Sequence, residues 1–584
     1  MANTVAGDLV RAAAEHGFRI CFANPGTSEM HMVAALEASP QVRPVLGLHE
    51  TVCSGAADGY ARVSGRPAMV LLHLGPGFSN SMANLHNARR ARTPVLVVVG
   101  DMSSWIRPFD PVLTSDIAAM AGTVGAAIEA RVPADLARED RDAEARARML
   151  QAGVDAFSEA LARTRPDPAD PQGSRVATLI IDHDMAYCPR PEDGEAPTLT
   201  GPKLDAPLPA VVDESGVASF ADDVAAMLLR ARADGTPVAL LLGGFAIAND
   251  EVLTAVGRVA AATGATLLSE TFPAVSSRGA GLPNPQRVPY FPQDALKEVA
   301  KYKRFVLVDA RRPVAMFGYE DGPAEIIDLP DEDVWEVDGP PQDVRLFALR
   351  LEAAVARDGA EPGAEPPTRL PIVPGVNCRG VFSPPTVRRP ALPKPDARLT
   401  ADALMRVVAS QQPEGAIVVD EAITSGFGYV PVSATCPPFR QLQLTGGAIG
   451  SGIPMALGAA LAEPTRQVIC LQADGSGLYS AQGLWTMARE RTRVLVVVCA
   501  NNIYSILKVE LAKQHCEIER SKQVRPQEGA ARKLTEITSP SIDWVALASG
   551  FGVPAKRATT VGEAQEAVRE GLATDGPFLV HALI

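Results

Sequence analysis

Short apolar runs alternate with longer amphipathic stretches in three segments of the chain. In the first, RICFANPG, VRPVLGL, PAMVLLHLGPG, TPVLVVVGDM and VATLIIDHDM read as strands. In the second, the strand-like runs are PVALLLGG, GATLLSET, RFVLVDA and AEIIDL; in the third, GAIVVDE, RQVICLQADGS, RVLVVVCANN and PFLVHALI. The Ala-rich, charged stretch 130–165 reads as surface helices. Unbroken apolar strands alternating with helices predict parallel sheets covered on both faces. The expected fold class is therefore α/β, with three doubly wound domains over 1–190, 210–358 and 396–584. Pro-rich stretches separate them, and the second, 359–395, has the composition of an extended crossing segment. In such sheets ligands sit at the carboxyl ends of strands, so the residues that terminate strands carry the functional reading.

Composition narrows the class. The chain has 584 residues, 47% hydrophobic and 21% charged, as ordinary globular enzymes do. A net charge of −13 argues against a nucleic-acid or acidic-membrane surface as partner. No apolar run reaches the roughly 20 residues that span a bilayer, and MANTVAGDLVRAAAEHGF reads as an amphipathic helix rather than a signal peptide. The eight Cys are scattered without a C-x-x-C, which suits reduced thiols and a cytoplasmic protein.

Two strand ends in the third segment stand out. Asp474 follows VICLQA directly, and Gly475 and Ser476 then open a helical pattern whose free N–H groups suit an anion. Asn501 and Asn502 follow the next strand, 501 − 474 = 27 residues on, enough for one helix and one strand. A hard cation such as Mg²⁺ takes oxygen ligands and often bridges a protein carboxylate to a diphosphate. Asp474 offers the charge, and an Asn oxygen adds a ligand without further negative charge. The competing reading is a plain βα turn with a helix-capping Asp.

The sequence ADGS, some 25 residues and then NN resembles the thiamine diphosphate motif, Gly-Asp-Gly followed by Asn-Asn. CFANPGTSEMHMVAAL, GLHETVCSGAADGYARVSGRP, LLHLGPGFSNSMANLHNA and TGGAIGSGIPMALGAALAEPTRQVICLQADGS extend the resemblance over nearly the whole chain. They are similar to the acetolactate synthase large subunit and benzoylformate decarboxylase group of thiamine diphosphate-dependent enzymes. The resemblance implies pyrimidine-binding, central and diphosphate-binding domains in that order. It implies that Asp474, Asn502 and the backbone carbonyl of Tyr504 hold Mg²⁺, and that Gly475 and Ser476 cradle the diphosphate. Thr424, Ser425 and Gly447 fall at positions that contact the cofactor, and Ile449 matches the apolar residue that props it into a bent shape. Glu50 in LHET matches the glutamate that touches the aminopyrimidine ring, where a carboxylate favours the imino tautomer that deprotonates the thiazolium C2. In the family this glutamate acts on a cofactor held mainly by the partner subunit, which implies at least a homodimer, and often a homotetramer.

The substrate reading is coarser. The resemblance implies decarboxylation of a small-molecule 2-oxo acid, with transfer to a carbonyl acceptor as in acetolactate synthases. A benzoylformate-type decarboxylase or C–C lyase is the alternative, and a catalytically silent cofactor-binding regulatory paralogue is the alternative of another class. His73 ends its strand and matches a histidine of the decarboxylases, while Thr27 matches a Ser near their substrate carboxylate. The second decarboxylase histidine has no counterpart, since Phe317-Gly318 stands at that point; His86 is the substitute on offer. The segment VDARRPVAMFGY lacks the flavin-binding pattern of acetolactate synthases, so FAD is not expected. Ala473 stands where the motif has Gly, and Asn502 lies 502 − 474 = 28 residues past Asp474, one more than in close relatives. Either a bulge absorbs that residue or Asn501 takes the metal; the expectation is Asn502.

Overall fold

The computed structural model describes the chain apart from residues 1–2, 137–140, 168–169, 171–172, 191–202, 204–212, 319–321, 359–368, 371–380 and 522–527. The first sheet holds β1 (Ile20–Asn24), β2 (Arg43–Leu46), β3 (Ala68–His73), β4 (Val95–Asp101), β5 (Ala126–Ala130) and β6 (Val176–Asp182). Its order is β2-β1-β3-β4-β6-β5, and all pairs are parallel. The continuous apolar runs of β3 and β4 follow from burial on both faces, for Ala68–Leu72 and Val95–Val99 are at most 1% exposed.

The second sheet contains β7 (Val238–Leu242), β8 (Thr266–Ser269), β10 (Gln286–Arg287), β11 (Arg304–Val308) and β12 (Val334–Val337), ordered β10-β8-β7-β11-β12. The third contains β13 (Ile417–Glu421), β14 (Phe439–Gln443), β15 (Val468–Ala473), β16 (Val494–Ala500), β17 (Ala555–Ala558) and β18 (Phe578–Leu583). A short strand from the middle segment, β9 (Val275–Arg278), pairs antiparallel with β14 and closes that edge, giving β17-β18-β16-β15-β13-β14-β9. The middle segment thus contributes a strand to the last sheet, which apolar patterning alone does not reveal.

Three local expectations change. AEIIDL is not a strand: Ile326 and Ile327 are buried in the core beneath the second sheet, and Glu325 makes only an isolated bridge to Val314. The strand next to β11 is the later VWEV, β12. The helix Ala143–Arg163 is no mere surface cover, because it buries Met149, Leu150, Val154, Phe157 and Leu161 against the first sheet. Much of both Pro-rich stretches lies outside the described residues.

The first and third sheets share one apolar core, in which the helix Glu50–Ser64 crosses the helix Gly452–Ala462. Glycines make this crossing close. A Cβ on Gly59 would lie 2.1 Å from the Met455 carbonyl oxygen, and one on Gly458 would lie 1.9 Å from that of Ala56. A Cβ on Gly55 would meet the Pro454 ring at 2.7 Å. With no side chain at these three positions the backbones approach, and the amino ends of both helices point into one region.

Candidate active site

The carboxyl ends of β13, β15 and β16 lie side by side in the third sheet. Asp474 is 4% exposed, and its carboxylate accepts the Asn502 N–H at 2.6 Å and the Gly475 N–H at 2.8 Å. Burial pushes its pKa above the ordinary carboxylate value, and these backbone donors oppose that rise. Ala473 has φ −73° and ψ 145°, extended backbone that any residue adopts, so the motif's usual Gly is not required here. A Cβ on Gly475, in contrast, would lie 2.5 Å from Cε1 of Tyr504.

No bulge interrupts the β15–β16 ladder, which runs in register from Val468↔Val494 to Ala473↔Cys499. Just after the strand Asn502 adopts φ +57°, a left-handed conformation that Asn tolerates better than most residues. Asn501 is committed to this turn: its Oδ1 accepts the Ile503 N–H at 3.0 Å and its Nδ2 donates to Ser505 Oγ at 2.9 Å. The Tyr504 carbonyl accepts N–H groups from Leu507 at 3.0 Å and Lys508 at 3.4 Å, so a cation there would take the place of the longer bond. Thr424 and Ser425, beyond β13, line a cavity of about 410 Å³ that also meets Asn501, Ser505 and Arg398. The Ser476 hydroxyl does not join them. It is 3% exposed, accepts from Gln472 at 2.6 Å and donates to the Ala473 carbonyl at 3.2 Å. Only the backbone of Ser476 remains for a cradling role.

The loop before the helix Gly452–Ala462 holds Gly447 at φ +76° and Gly450 at φ +100°, with half-buried Ile449 between them. Buried Glu421, at the end of β13, holds this loop from below through the N–H groups of Gly450, at 2.6 Å, and Gly452, and through the Ser451 hydroxyl. Gly450 sits against the Asp474 turn, since a Cβ there would meet Tyr479 Cβ at 2.6 Å and the Ser476 carbonyl at 3.8 Å.

Glu50 occupies the first position of its helix, after His49, whose Nδ1 accepts the Thr51 N–H. Its carboxylate accepts from Asn80 Nδ2 at 3.0 Å, and a Cβ on Gly77 would lie 3.3 Å from its Oε1. Asn84 Nδ2 donates to the Thr51 carbonyl at 2.8 Å and reaches the Gly450 carbonyl at 3.4 Å. Glu50, the Ile449 loop and the Asp474 turn are therefore joined by consecutive contacts within one chain. The Glu50 helix packs on the diphosphate-side helix of its own chain, through the glycine crossing.

His73 ends β3 with 24% of its side chain exposed. Its Nδ1 lies 2.8 Å from Glu29 Oε2 and 3.2 Å from Ser28 Oγ. Glu29 is 1% exposed; its Oε2 also accepts the Gly26 N–H at 2.8 Å, and its Oε1 has no hydrogen-bond partner. Thr27 is exposed in the short turn Thr27–Glu29, and Ser28 rather than Thr27 touches His73. Sequence reasoning missed Glu29 and Ser28, although TSE just past the first strand was a signal to weigh both. His86 is occupied elsewhere, with Nε2 3.1 Å from the Gly446 carbonyl.

At the strand ends of the second sheet, Gly243 and Gly244 follow β7 and Asp309 follows β11. The Phe245 N–H donates to Asp309 Oδ2 at 2.5 Å, and Arg92 of the first segment pairs with Asp309 Oδ1 at 2.6 Å. A Cβ on Gly244 would lie 2.1 Å from both Arg92 Nη2 and Asp309 Oδ2. The Phe245 amide at this crevice is thus taken by the chain's own Asp309 carboxylate.

The donor set at the third sheet does fit a metal-bound diphosphate: one buried carboxylate, neutral Asn and carbonyl oxygens, and hydroxyls at the neighbouring strand end. Residues 3–120 match the family described as thiamine pyrophosphate enzyme, N-terminal TPP binding domain, and residues 433–582 match its C-terminal TPP binding domain. The chain is 40% identical over 576 residues to IlvX of Mycobacterium tuberculosis, provisionally named an acetolactate synthase large subunit, covering 99% of this chain and 98% of that one. It is 26% identical to the benzoylformate decarboxylase of Pseudomonas aeruginosa, covering 97% and 96% of the two. The Rhodococcus jostii RHA1 thiamine diphosphate-dependent 4-hydroxybenzoylformate decarboxylase shares the fold, with TM-score 0.73, 22% identity and 99% of both chains covered. The chain belongs to the thiamine diphosphate-dependent enzymes, in the group of acetolactate synthase large subunits and benzoylformate decarboxylases.

Proposed function

We propose that the protein decarboxylates a 2-oxo acid with thiamine diphosphate and Mg²⁺ and joins the remaining fragment to a carbonyl acceptor, without FAD. The observation that carries this reading is the position of Gly450, which touches the Asp474 turn on one side and, through Asn84, the Glu50 helix on the other. Bound thiamine diphosphate would supply the electron sink for loss of CO₂. Asp474, Asn502 and the Tyr504 carbonyl would hold Mg²⁺ against the diphosphate, with Gly475, the Ser476 backbone, Thr424, Ser425 and Gly447 around it. Ile449 would bear on the cofactor. Glu50 would hold the proton of the aminopyrimidine ring. His73, steadied by Glu29, would present its ring to the 2-oxo acid, with Thr27 at the rim.

The His73–Glu29 pair also favours the second reading, a benzoylformate-type decarboxylase that protonates the fragment instead of transferring it. Phe317, half exposed at the point of the missing second histidine, weighs against it. The domain limits 1–190, 210–358 and 396–584 remain part of the proposal, as do a homodimer or homotetramer and a cytoplasmic location. Among the described residues, no helix is long and apolar enough to cross a membrane.

The test is a CO₂-release screen over pyruvate and over branched, aromatic and dicarboxylic 2-oxo acids, with and without aldehyde and 2-oxo acid acceptors, and with product identification. Acyloin or acetohydroxy-acid products support carboligation. Aldehyde alone supports the second reading. Cofactor binding without CO₂ release from any of them supports a silent regulatory paralogue.

A further inference from the structure

Glu421 is the last residue of β13 and is 1% exposed. Its carboxylate gathers three consecutive residues that follow Ile449. Oε1 accepts the Gly450 N–H at 2.6 Å, and Oε2 accepts the Ser451 hydroxyl at 3.2 Å and the Gly452 N–H. The Ser476 hydroxyl lies within hydrogen-bonding reach of the same carboxylate. Ser476 is tied in turn to fully buried Gln472, whose Nε2 donates to Ser476 Oγ at 2.6 Å and to the Ala473 carbonyl at 3.4 Å. Gln472 also closes on the loop, since a Cβ on Gly452 would fall against both Gln472 Oε1 and Glu421 Oε2. The end of β13, the Ile449 loop and the Asp474 turn therefore meet around one carboxylate.

Burial makes this arrangement informative. Ile417, Val418 and Val419, which precede it in β13, are apolar and at most 1% exposed. A buried carboxylate is unfavourable unless donors surround it, and an apolar side chain would fill the same place at lower cost. Burial raises the pKa of the Glu421 carboxyl, and the Gly450, Gly452, Ser451 and Ser476 donors oppose that rise. The residue directly after Ile449 bends toward it: Gly450 has φ +100°, backbone that a residue with a Cβ rarely adopts. The Gly450 and Gly452 N–H groups are committed to Glu421, so their work is to hold the loop and not to receive a diphosphate.

We propose that Glu421 is a positioning residue that fixes the Ile449 loop against the Asp474 turn, and so sets where Ile449 stands relative to the metal–diphosphate clamp. This rests on the functional reading above, which assigns Ile449 and the Asp474 turn to one thiamine diphosphate. Both belong to the third sheet and its loops, so the cofactor they serve is the one this chain's own Asp474 holds.

The experiment uses the full chain and takes two readouts that need no substrate. One is the dissociation constant of thiamine diphosphate at saturating Mg²⁺. The other is the near-ultraviolet circular dichroism that the bound cofactor acquires when its two rings are held in one twisted arrangement. Glu421→Gln keeps the shape of the side chain but turns a donor toward the Gly450 or the Gly452 N–H. It should raise the dissociation constant about tenfold or more, the scale of a hydrogen bond to a charged group, and diminish the dichroism. The effect should pass through Ile449: in an Ile449→Ala background the same change should cost less than about threefold, as coupled residues do. Leu579→Ala, a buried change at the amino end of β18, is the control for lost stability alone. It should lower the Tm, leave the dissociation constant within about threefold and preserve the dichroism. Should Glu421→Gln fail to fold, Glu421→Asp keeps the charge, draws it back by one methylene and should show the same coupled loss. A folded Glu421 variant with unchanged affinity and dichroism would overturn the proposal. So would a loss that multiplies independently with that of Ile449→Ala. A wild-type protein that binds no thiamine diphosphate would instead overturn the functional reading beneath it.

Discussion

His73 and Glu29 form a pair across the carboxyl ends of the first sheet, with Nδ1 2.8 Å from Oε2. The carboxylate is enclosed so tightly that a Cβ on Gly100 would lie 2.1 Å from its other oxygen. A carboxylate on Nδ1 holds the imidazole in the tautomer whose Nε2 is free to act as an acceptor. Replacing His73 with Ala is therefore expected to lower kcat by about 10²-fold or more, the scale of a lost acid–base group, with cofactor affinity unchanged. Glu29→Gln should fall between this variant and the wild type. Steady-state kinetics beside a thiamine diphosphate titration checks both; a His73→Ala enzyme with full kcat would remove His73 from the chemistry.

Much of this site was legible because strand ends are. His73 and the Asn pair each follow an unbroken apolar run, and Asp474 and Thr424 follow runs broken by one or two polar residues; apolar runs buried on both faces are the clearest signal a sequence carries. Asn84 was not legible, since it acts through contacts with Thr51 and Gly450, far along the chain. The antiparallel edge strand β9 was hidden for a related reason: Ser276, Ser277 and Arg278 are polar yet buried, and their partner β14 lies more than 150 residues later. AEIIDL misled because its two Ile fill a core from a loop, and composition does not separate that from a strand.

Glu50→Gln keeps the size and hydrogen-bonding reach of the side chain while removing the charge. Thermal stabilisation by thiamine diphosphate with Mg²⁺ should persist, while CO₂ release should fall by about 10²–10⁴-fold. A thermal-shift assay paired with CO₂ measurement separates the two effects. Undiminished CO₂ release would reject the role assigned to Glu50.

Asp474 presents the only carboxylate assigned to the metal, so Asp474→Ala should abolish the Mg²⁺-dependent part of the cofactor's thermal shift. A chelator added to the loaded wild-type protein should do the same, and excess Mg²⁺ should restore it. Because the Asp474 carboxylate also anchors the Asn502 and Gly475 N–H groups, the cofactor-free variant should lose about 1–3 kcal/mol of stability. Calorimetry of both cofactor-free proteins measures that second effect.

The glycine crossing predicts a difference between two single-atom additions. Gly59→Ala puts a Cβ 2.1 Å from the Met455 carbonyl oxygen, so the helices Glu50–Ser64 and Gly452–Ala462 must separate. Overpacking of this kind costs about 1–3 kcal/mol, and it should lower the Tm and weaken cofactor binding together, because the crossing places the amino ends of both helices. Gly122→Ala adds a Cβ with nothing within 4 Å and should leave both unchanged.

Glu270 gives a pH dependence with a definite sign. The residue is half-buried, but its carboxyl sits under the Gly243 turn beside the Arg92–Asp309 pair, and burial pushes its pKa from the ordinary 4.5 up to about 7. Arg92 and the Arg311 N–H oppose that rise, and Asp309 adds to it. An acid whose pKa is raised by folding binds its proton more tightly in the folded state. Its contribution to stability is complete below about pH 4.5 and is lost as the pH rises through about 7. Glu270→Gln is neutral at every pH and of similar shape. The wild-type Tm should therefore fall more steeply than the variant's between pH 5 and 8, with the variant the more stable at the upper end. Calorimetric scans of both proteins across that range decide it; parallel curves would show that Glu270 does not titrate between those limits.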